Sequence, residues 1–202
     1  MERKTILVGL AIFTSIAVLI VATIFLKRPD TFRGTEYQQP LAAPEITLTR
    51  DSGDVFRLSD QKGRVLLLFF GYTFCPDVCP TTLAELKQVY DGLGDNAQFV
   101  EVVLISVDPE RDTPQHIQDY VNRFNPSFIG LSGPQAELES IWKNYGIFRE
   151  IVPGTSPADY GVNHTARMSL IDPDGNLRLS YGIQTPVEDI IHDIELLLKS
   201  KN

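Results

Sequence analysis

The sequence predicts an α/β domain with a mixed sheet, preceded by one N-terminal transmembrane helix. Three observations lead to this prediction. An uncharged apolar run lies near the start of the chain, strand-like apolar segments then alternate with helix-like amphipathic ones, and a hairpin followed by an amphipathic helix ends the pattern. Alternating strands and helices place the helices against the faces of a sheet, and a closing hairpin adds antiparallel strands to it.

The apolar run, Ile6–Leu26, contains 21 residues and no charge. At about 1.5 Å per residue it spans roughly 30 Å, the thickness of a bilayer's hydrocarbon core. It is longer than the apolar part of a typical signal peptide, about 7–15 residues, so residues 1–28 are interpreted as an uncleaved anchor. A short basic tail usually stays in the cytoplasm, which predicts the remaining chain on the other side of a bacterial inner membrane, or an equivalent membrane.

Residues 29–44 show no periodic apolar pattern and are interpreted as a linker. Residues 45–202 are then long enough for one domain with its own core. The chain has a formal net charge of −8. An acidic surface repels nucleic acid, so no nucleic-acid partner is expected.

The first half of the domain contains a hairpin and two buried strands. Apolar residues alternate from Glu45 to Leu58 around a turn at residues 51–54, which predicts the hairpin. Val65–Phe70 is entirely apolar, and Phe99–Val107 is largely so, as is typical of strands buried on both faces. Apolar residues at helical spacing predict three helices, through Leu83, Leu86, Tyr90 and Leu93, through Ile117, Tyr120, Val121 and Phe124, and through Leu138, Ile141, Trp142 and Tyr145.

The second half begins with a stretch rich in proline, glycine and serine, residues 152–161, which predicts a long irregular loop. Met168–Ile171 and Leu177–Tyr181 flank a turn sequence that contains Asp-Gly, and they predict a second hairpin. Apolar residues at helical spacing from 187 to 198 predict the last helix.

The chain's two cysteines, Cys75 and Cys79, follow the strand Val65–Phe70 and precede a helix. A helix start offers free N–H groups and a positive dipole end, and both favour thiolate over thiol. Two thiolates in one loop can hold a soft metal ion or close as a disulfide. A structural disulfide is the alternative, but so small a loop removes little chain entropy when it closes.

Three histidines could join the cysteines. His116 and His192 are interpreted as surface residues of helices. His164 differs because it follows the long loop and directly precedes the strand Met168–Ile171. Long loops in compact domains are often functional, which makes His164 a candidate metal ligand.

A charged segment, Asp108–Pro114, follows the second buried strand. Because parallel strands end at the same edge of a sheet, this segment is expected beside the cysteine loop. Capping of the next helix explains part of it, with Asp112 or Thr113 as N-cap and Pro114 at the first helical position. Capping does not explain Asp108 and Arg111, for which an outer-sphere or docking role is open.

Three motifs together resemble the Sco/SenC family, and they cover roughly residues 40–200. They are Cys75–Pro80, Ser106–Pro114, and His164–Thr165 ahead of Leu170–Gly175. Sco/SenC proteins are membrane-anchored, thioredoxin-like copper proteins that help assemble the binuclear copper centre of cytochrome c oxidase. The resemblance implies a thioredoxin-like mixed sheet flanked by helices, whose strand after the third helix runs antiparallel to the cysteine strand.

The resemblance also implies a site. One copper per chain, as Cu(I) or Cu(II), would be bound by Cys75, Cys79 and His164, and the two cysteines would also form a redox-active disulfide. Asp77, Asp108 and Arg111 are candidates for contact with those ligands. Ser169 departs from the family, which often has a tyrosine there.

The partners that the resemblance implies are the copper-centre subunit of cytochrome c oxidase, other copper chaperones or thiol reductants, and the membrane itself. A copper chaperone, which is not an enzyme, is the first hypothesis. A thiol–disulfide oxidoreductase that reduces a partner's copper-site cysteines is the second. Three residues separate the cysteines, where thioredoxins have two, and no proline directly precedes Met168–Ile171. A peroxidase, with Arg111 or Arg167 beside one reactive cysteine, is the third.

Overall fold

The computed structural model of the chain describes residues 13, 16, 31–156 and 159–199. The chain divides into two compact units, Met1–Thr31 and Phe32–Asn202. The second unit holds every strand and helix named below. Its described residues form the strands β1 Thr35–Ala42, β2 Thr47–Thr49, β3 Val55–Arg57, β4 Val65–Gly71, β5 Val100–Ser106, β6 Ile129–Leu131, β7 Arg149–Ser156, β8 Asp159–His164, β9 Arg167–Ile171 and β10 Asn176–Gly182.

Within the described ranges, four α-helices alternate with these strands: α1 Val78–Gly92, α2 Pro114–Asn122, α3 Gln135–Asn144 and α4 Val187–Lys199. Among the described residues, six strands form one sheet in the order β1-β10-β9-β4-β5-β6. β4, β5 and β6 are parallel, whereas β9 runs antiparallel to β4 and the remaining pairs are antiparallel. The predicted α/β architecture with a mixed sheet is confirmed.

The core lies on both faces of β4 and β5. All seven residues of β4 are buried, as are six of the seven residues of β5, so these strands need cover on two sides. Gly130 in β6 lets α2 come close, because a Cβ there would lie 2.6 Å from the carbonyl oxygen of Ile117. Burial of the two central strands therefore determines where the helices pack.

The interpretation of residues 29–44 as a linker is wrong for residues 35–42. These residues form β1, an edge strand that pairs with β10. The sequence hid this strand because its register is interrupted between Glu36 and Leu41, and a bulge breaks the alternation of apolar and polar residues. The pairing of β1 with β10 therefore places residues 35–42 inside the domain, which corrects both the predicted linker and the predicted domain boundary at residue 45.

The prediction of an irregular loop at residues 152–161 is also wrong. Most of it belongs to a hairpin of β7 and β8, which pairs from Arg149 opposite His164 to Ser156 opposite Asp159. Proline and glycine are compatible with it because this two-stranded sheet is not paired with the larger one in the described structure. The sequence patterns also did not predict β6, a strand of only three residues.

No helix among the described residues is long and apolar enough to cross a membrane. The predicted anchor at residues 1–28 lies outside the described residues except for positions 13 and 16. It stays a prediction.

The start of the folded unit is attached to α4 through a buried carboxylate. Asp193 is fully buried and accepts hydrogen bonds from the backbone N–H of Arg33 at 2.9 Å and of Gly34 at 2.8 Å. The hydroxyl of Tyr181 donates to it at 3.2 Å. Leaving a buried carboxylate without such hydrogen-bond donors lowers the stability of the fold more than leaving a neutral group without them.

We therefore expect a chain that begins at Tyr37 to be less stable than one that begins at Phe32. The free energy of unfolding, measured in urea, should fall by about 3 kcal/mol, because Asp193 loses both amide donors. Asp193→Asn in each chain is the control, and it should destabilise the longer chain more than the shorter one. Equal effects of Asp193→Asn in the two chains would show that Arg33 and Gly34 contribute nothing to this attachment.

Candidate metal centre

The cysteine loop connects β4 to α1 at the carboxyl edge of the large sheet. Cys75 is half-buried and Cys79 is fully buried, and both are free thiols. The backbone N–H of Cys79 donates to Sγ of Cys75 at 3.3 Å. Gly71 makes room for the buried sulfur, because a Cβ there would lie 2.9 Å from Sγ of Cys79. The two sulfur-bearing residues are therefore packed together at the start of α1.

The two thiols differ in acidity because one donates a hydrogen bond to the other. The pKa of Cys75 is lowered to about 6, chiefly by the hydrogen bond from the Cys79 thiol. Backbone N–H groups of Cys79, Asp77 and Val78 lower it further, as expected at a helix start. The pKa of Cys79 is raised, first by that same hydrogen bond and then by burial. Cys75 is thus the thiolate near neutral pH, and Cys79 holds the proton.

His164 ends β8 at the same edge of the structure. Its ring meets that of Tyr72 edge-on, with 6.0 Å between the ring centroids, and the Tyr72 carbonyl accepts the N–H of Cys75 at 3.3 Å. Nδ1 of His164 lies 3.2 Å from the carbonyl oxygen of Thr165. A carbonyl only accepts, so the proton is on Nδ1 and the lone pair is on Nε2. Burial lowers the pKa of His164, which keeps the ring neutral and able to bind a metal.

These donors suit a soft metal, because two sulfurs and one imidazole nitrogen match the preferences of copper. The structure brings the two cysteines together and places His164 one aromatic ring away. Within the described ranges, however, no three His, Cys, Asp or Glu side chains are close enough to hold a metal ion. The predicted ligand set of Cys75, Cys79 and His164 therefore stays a prediction.

The other predicted site residues have different surroundings. Asp77 is the N-cap residue of α1, is exposed, and makes no capping hydrogen bond through its side chain. Asp108 is fully buried and accepts from Nε of Arg111 at 2.5 Å. The guanidinium of Arg111 lies 4.7 Å from the ring centroid of Phe74, beside Cys75. Asp108 and Arg111 therefore do lie beside the cysteine loop, whereas Asp77 faces solvent.

Asp112 supports the cysteine loop, which its position in the sequence does not indicate. Its buried carboxylate accepts from the hydroxyl of Thr73 at 2.6 Å and from the hydroxyl of Ser106 at 2.8 Å. The bond from Thr73 holds the cysteine loop at a position two residues before Cys75. The bond from Ser106 connects Asp112 to the end of β5. The sequence offers Asp112 or Thr113 as the cap of α2, and the structure has Thr113, which accepts from the N–H of His116 at 3.1 Å. No local pattern distinguishes a buried aspartate from a capping one.

Two further residues were missed, Tyr72 and Tyr160. The hydroxyl of Tyr72 accepts the N–H of Val162 in β8 at 3.3 Å. The hydroxyl of Tyr160 donates to Asp108 at 2.8 Å. Both contacts join parts of the chain that are far apart in sequence, so nothing near either tyrosine could have indicated them.

Comparisons with known proteins show what this chain is similar to. A family model described as SCO1/SenC matches residues 34–199. A Stutzerimonas stutzeri protein named for copper binding is 39% identical over 139 residues, which are 68% of this chain and 67% of that protein. The human mitochondrial SCO1 homolog is 36% identical over 146 residues, which are 71% of this chain and 48% of the human protein. The chain thus spans about half of the human relative's length.

A solved structure, that of Bradyrhizobium japonicum ScoI with copper bound, has the same fold. It superimposes with a TM-score of 0.71 and 37% identity, over 77% of this chain and 98% of that one. The thioredoxin-like fold expected from the sequence is confirmed by this likeness.

Proposed function

Because this chain belongs to the SCO1/SenC family, we propose that it is a copper-binding metallochaperone that delivers copper for assembly of the binuclear copper centre of cytochrome c oxidase. The observation that carries the proposal is the pair of thiols at the start of α1, with His164 at the same edge of the structure. Soft sulfur ligands select Cu(I), and an added imidazole tolerates Cu(II). The copper-loaded Bradyrhizobium structure and the copper-binding Stutzerimonas relative support copper as the metal.

Copper is the cargo of this function, and Cys75, Cys79 and His164 are the residues that would hold it, one ion per chain. The Cys75 thiolate is available near neutral pH, and the Cys79 thiol would lose its proton when the metal binds. His164 would bind through Nε2, because Nδ1 faces the Thr165 carbonyl. Within the described ranges these side chains are not close enough to share one ion, so binding would draw the three donors together.

The decisive experiment is copper transfer in solution. The copper-loaded domain is mixed with the reduced, metal-free copper domain of cytochrome c oxidase. We expect the visible absorption of the binuclear centre to appear, and copper to leave this protein in the same proportion. The Cys75→Ser variant is the control and should support no transfer. Copper that stays with the donor while the acceptor remains empty would refute delivery.

Thiol–disulfide exchange is the second candidate function, and the low pKa of Cys75 favours it. The copper-free dithiol would be mixed with the oxidised acceptor. One new disulfide would form between Cys75 and Cys79 for every acceptor disulfide that is reduced, so electrons and protons balance. Appearance of acceptor thiols without any copper present would favour this function.

We also propose that residues 1–28 anchor the protein with its domain on the non-cytoplasmic side. An anchor would hold the domain near a membrane-bound target and raise its effective concentration there. Reporter enzymes fused to the C-terminus test this. We expect activity from alkaline phosphatase, which needs an oxidising compartment, and no fluorescence from a reporter that folds only in the cytoplasm. The reverse pattern would contradict both the orientation and a delivery role outside the cytoplasm.

A further inference from the structure

The β7–β8 hairpin, which carries His164, has no main-chain pairing with the six-stranded sheet in the described structure. Its position relative to the cysteine loop must therefore be set by side chains. The N–H of Val162 donates to the Tyr72 hydroxyl at 3.3 Å, and Nε of Arg149 donates to the carbonyl of Val107 at 2.6 Å. A third connection, centred on Arg111, is more extensive than either.

Arg111 lies between the cysteine loop, the end of β5 and the hairpin. Its Nε donates to the buried Asp108 at 2.5 Å, and its Nη1 donates to the carbonyl oxygen of Tyr160 at 3.0 Å. Its guanidinium lies 3.6 Å from the ring centroid of Tyr160, and 4.7 and 5.8 Å from those of Phe74 and Tyr72. One planar cation thus contacts two aromatic residues of the loop and one of the hairpin, a geometry that lysine cannot reproduce.

Tyr160 closes this arrangement, because its hydroxyl donates to the second oxygen of Asp108 at 2.8 Å. Asp108 therefore accepts from Arg111 through one oxygen and from the hairpin through the other. Nη2 of Arg111 is buried and has no hydrogen-bond partner among the described residues. A buried donor without a partner costs stability, so this cluster is not arranged for stability alone.

We infer that Arg111 and Tyr160 are positioning residues, which hold the hairpin so that His164 stays within reach of a metal on Cys75 and Cys79. This inference rests on the proposed copper site. His164 already meets the ring of Tyr72, a residue of the cysteine loop, so the held hairpin places the imidazole beside that loop. When the contacts of Arg111 and Tyr160 are lost, the hairpin samples more positions and the effective concentration of the imidazole at the metal falls.

The inference predicts a difference between the two oxidation states of copper. Two thiolates suffice for Cu(I), whereas Cu(II) gains from the imidazole. Arg111→Lys keeps a charge for Asp108 but loses the planar stacking and the bond to the Tyr160 carbonyl. Tyr160→Phe loses only the bond to Asp108. Each substitution should weaken Cu(II) binding about tenfold and leave Cu(I) affinity unchanged. A tenfold loss is at the lower end of the range that is typical when a residue around the metal ligands is removed.

The experiment measures Cu(I) and Cu(II) affinities and the Cu(II) absorption spectrum of both variants, beside His164→Ala. Arg50→Lys and Tyr145→Phe are matched controls, because Arg50 lies over the Phe56 ring and the Tyr145 hydroxyl donates to the Pro44 carbonyl. Both control variants should behave as the unaltered protein does. A selective loss of Cu(II) affinity, with a spectrum shifted toward that of His164→Ala, is the expected result.

Unchanged Cu(II) affinity in folded Arg111→Lys and Tyr160→Phe overturns the inference, as does an equal loss for both oxidation states. If Arg111→Lys does not fold, Tyr160→Phe decides alone. His164→Ala separates this failure from that of the proposed function, because full Cu(II) binding in that variant would mean that His164 is not a ligand at all.

Discussion

Serine in place of Cys75 or Cys79 is expected to lower copper affinity by more than about a hundredfold, which is the most that loss of a residue around the ligands typically costs. A hydroxyl is a poor ligand for Cu(I), so each variant leaves one soft donor where two are needed. In Cys79→Ser the hydroxyl can still donate to the Cys75 thiolate, so the lost affinity reports the missing sulfur ligand. Competition against a Cu(I) chelator of known affinity measures the loss.

His164→Ala tests the third ligand in the same assay. It should weaken Cu(II) binding severely and change its absorption spectrum, because the nitrogen donor is lost. His116→Ala is the matched control, since His116 contacts Phe74 at 5.7 Å between ring centroids and is not proposed as a ligand. Retention of full Cu(II) affinity with an unchanged spectrum in His164→Ala would rule out the three-ligand site.

Oxidation of the two cysteines to a disulfide is expected to abolish copper binding entirely. Glutathione disulfide provides the oxidant: it takes two electrons and two protons from the dithiol and leaves as two glutathione thiols. The Cys75 thiolate should attack first because its pKa is lowered to about 6, and Cys79 then displaces the bound glutathione. A sulfur in an S–S bond cannot serve as a thiolate ligand.

Copper content after desalting, measured on the oxidised and re-reduced protein, provides the readout. We expect no copper on the oxidised form and one copper per chain after reduction. Reduced protein that is carried through the same steps without glutathione disulfide is the control, and it should keep its copper. Should the oxidised protein retain copper as tightly as the reduced one, reversible exchange between disulfide and metal would be wrong.

The pH dependence of the first step follows from the same pKa. Above about pH 6, Cys75 is mainly thiolate and attack should be fast, whereas below it the thiol dominates and attack should slow about tenfold per pH unit. An ordinary cysteine thiol has a pKa of 9.0, so its attack would already slow as the pH falls below that value.

Local sequence determined the elements that bury apolar surface at a regular spacing. The six apolar residues 65–70 indicated a strand covered on both faces, and the spacing of apolar residues in the α1 segment indicated one side of a helix; the structure has both. The cysteine loop followed directly, because it lies between a strand and a helix that are adjacent in the chain. Its placement at a helix start was therefore predictable. The sequence favoured thiolate at both cysteines, but only the pKa of Cys75 is lowered, chiefly by the hydrogen bond from the Cys79 thiol, whereas the pKa of Cys79 is raised.

Tertiary structure alone decided where distant segments meet. β1 is a strand because β10 offers it main-chain partners, not because residues 35–42 have a strand pattern. The β7–β8 hairpin contains proline and glycine and still pairs along its length, since a separate two-stranded sheet tolerates them. Asp112 looks like a capping residue in sequence, yet its carboxylate supports Thr73, 39 residues away.

The site shows the same division. The sequence by itself identified Cys75, Cys79 and His164 as candidates and placed Asp108 and Arg111 at the neighbouring strand end. Only the fold brought Tyr160 to Asp108, across 52 residues, and placed Arg111 between the cysteine loop and the hairpin. The physical reason is that hydrogen bonds and ring contacts depend on distance in space, whereas local sequence patterns report only which face of an element is buried.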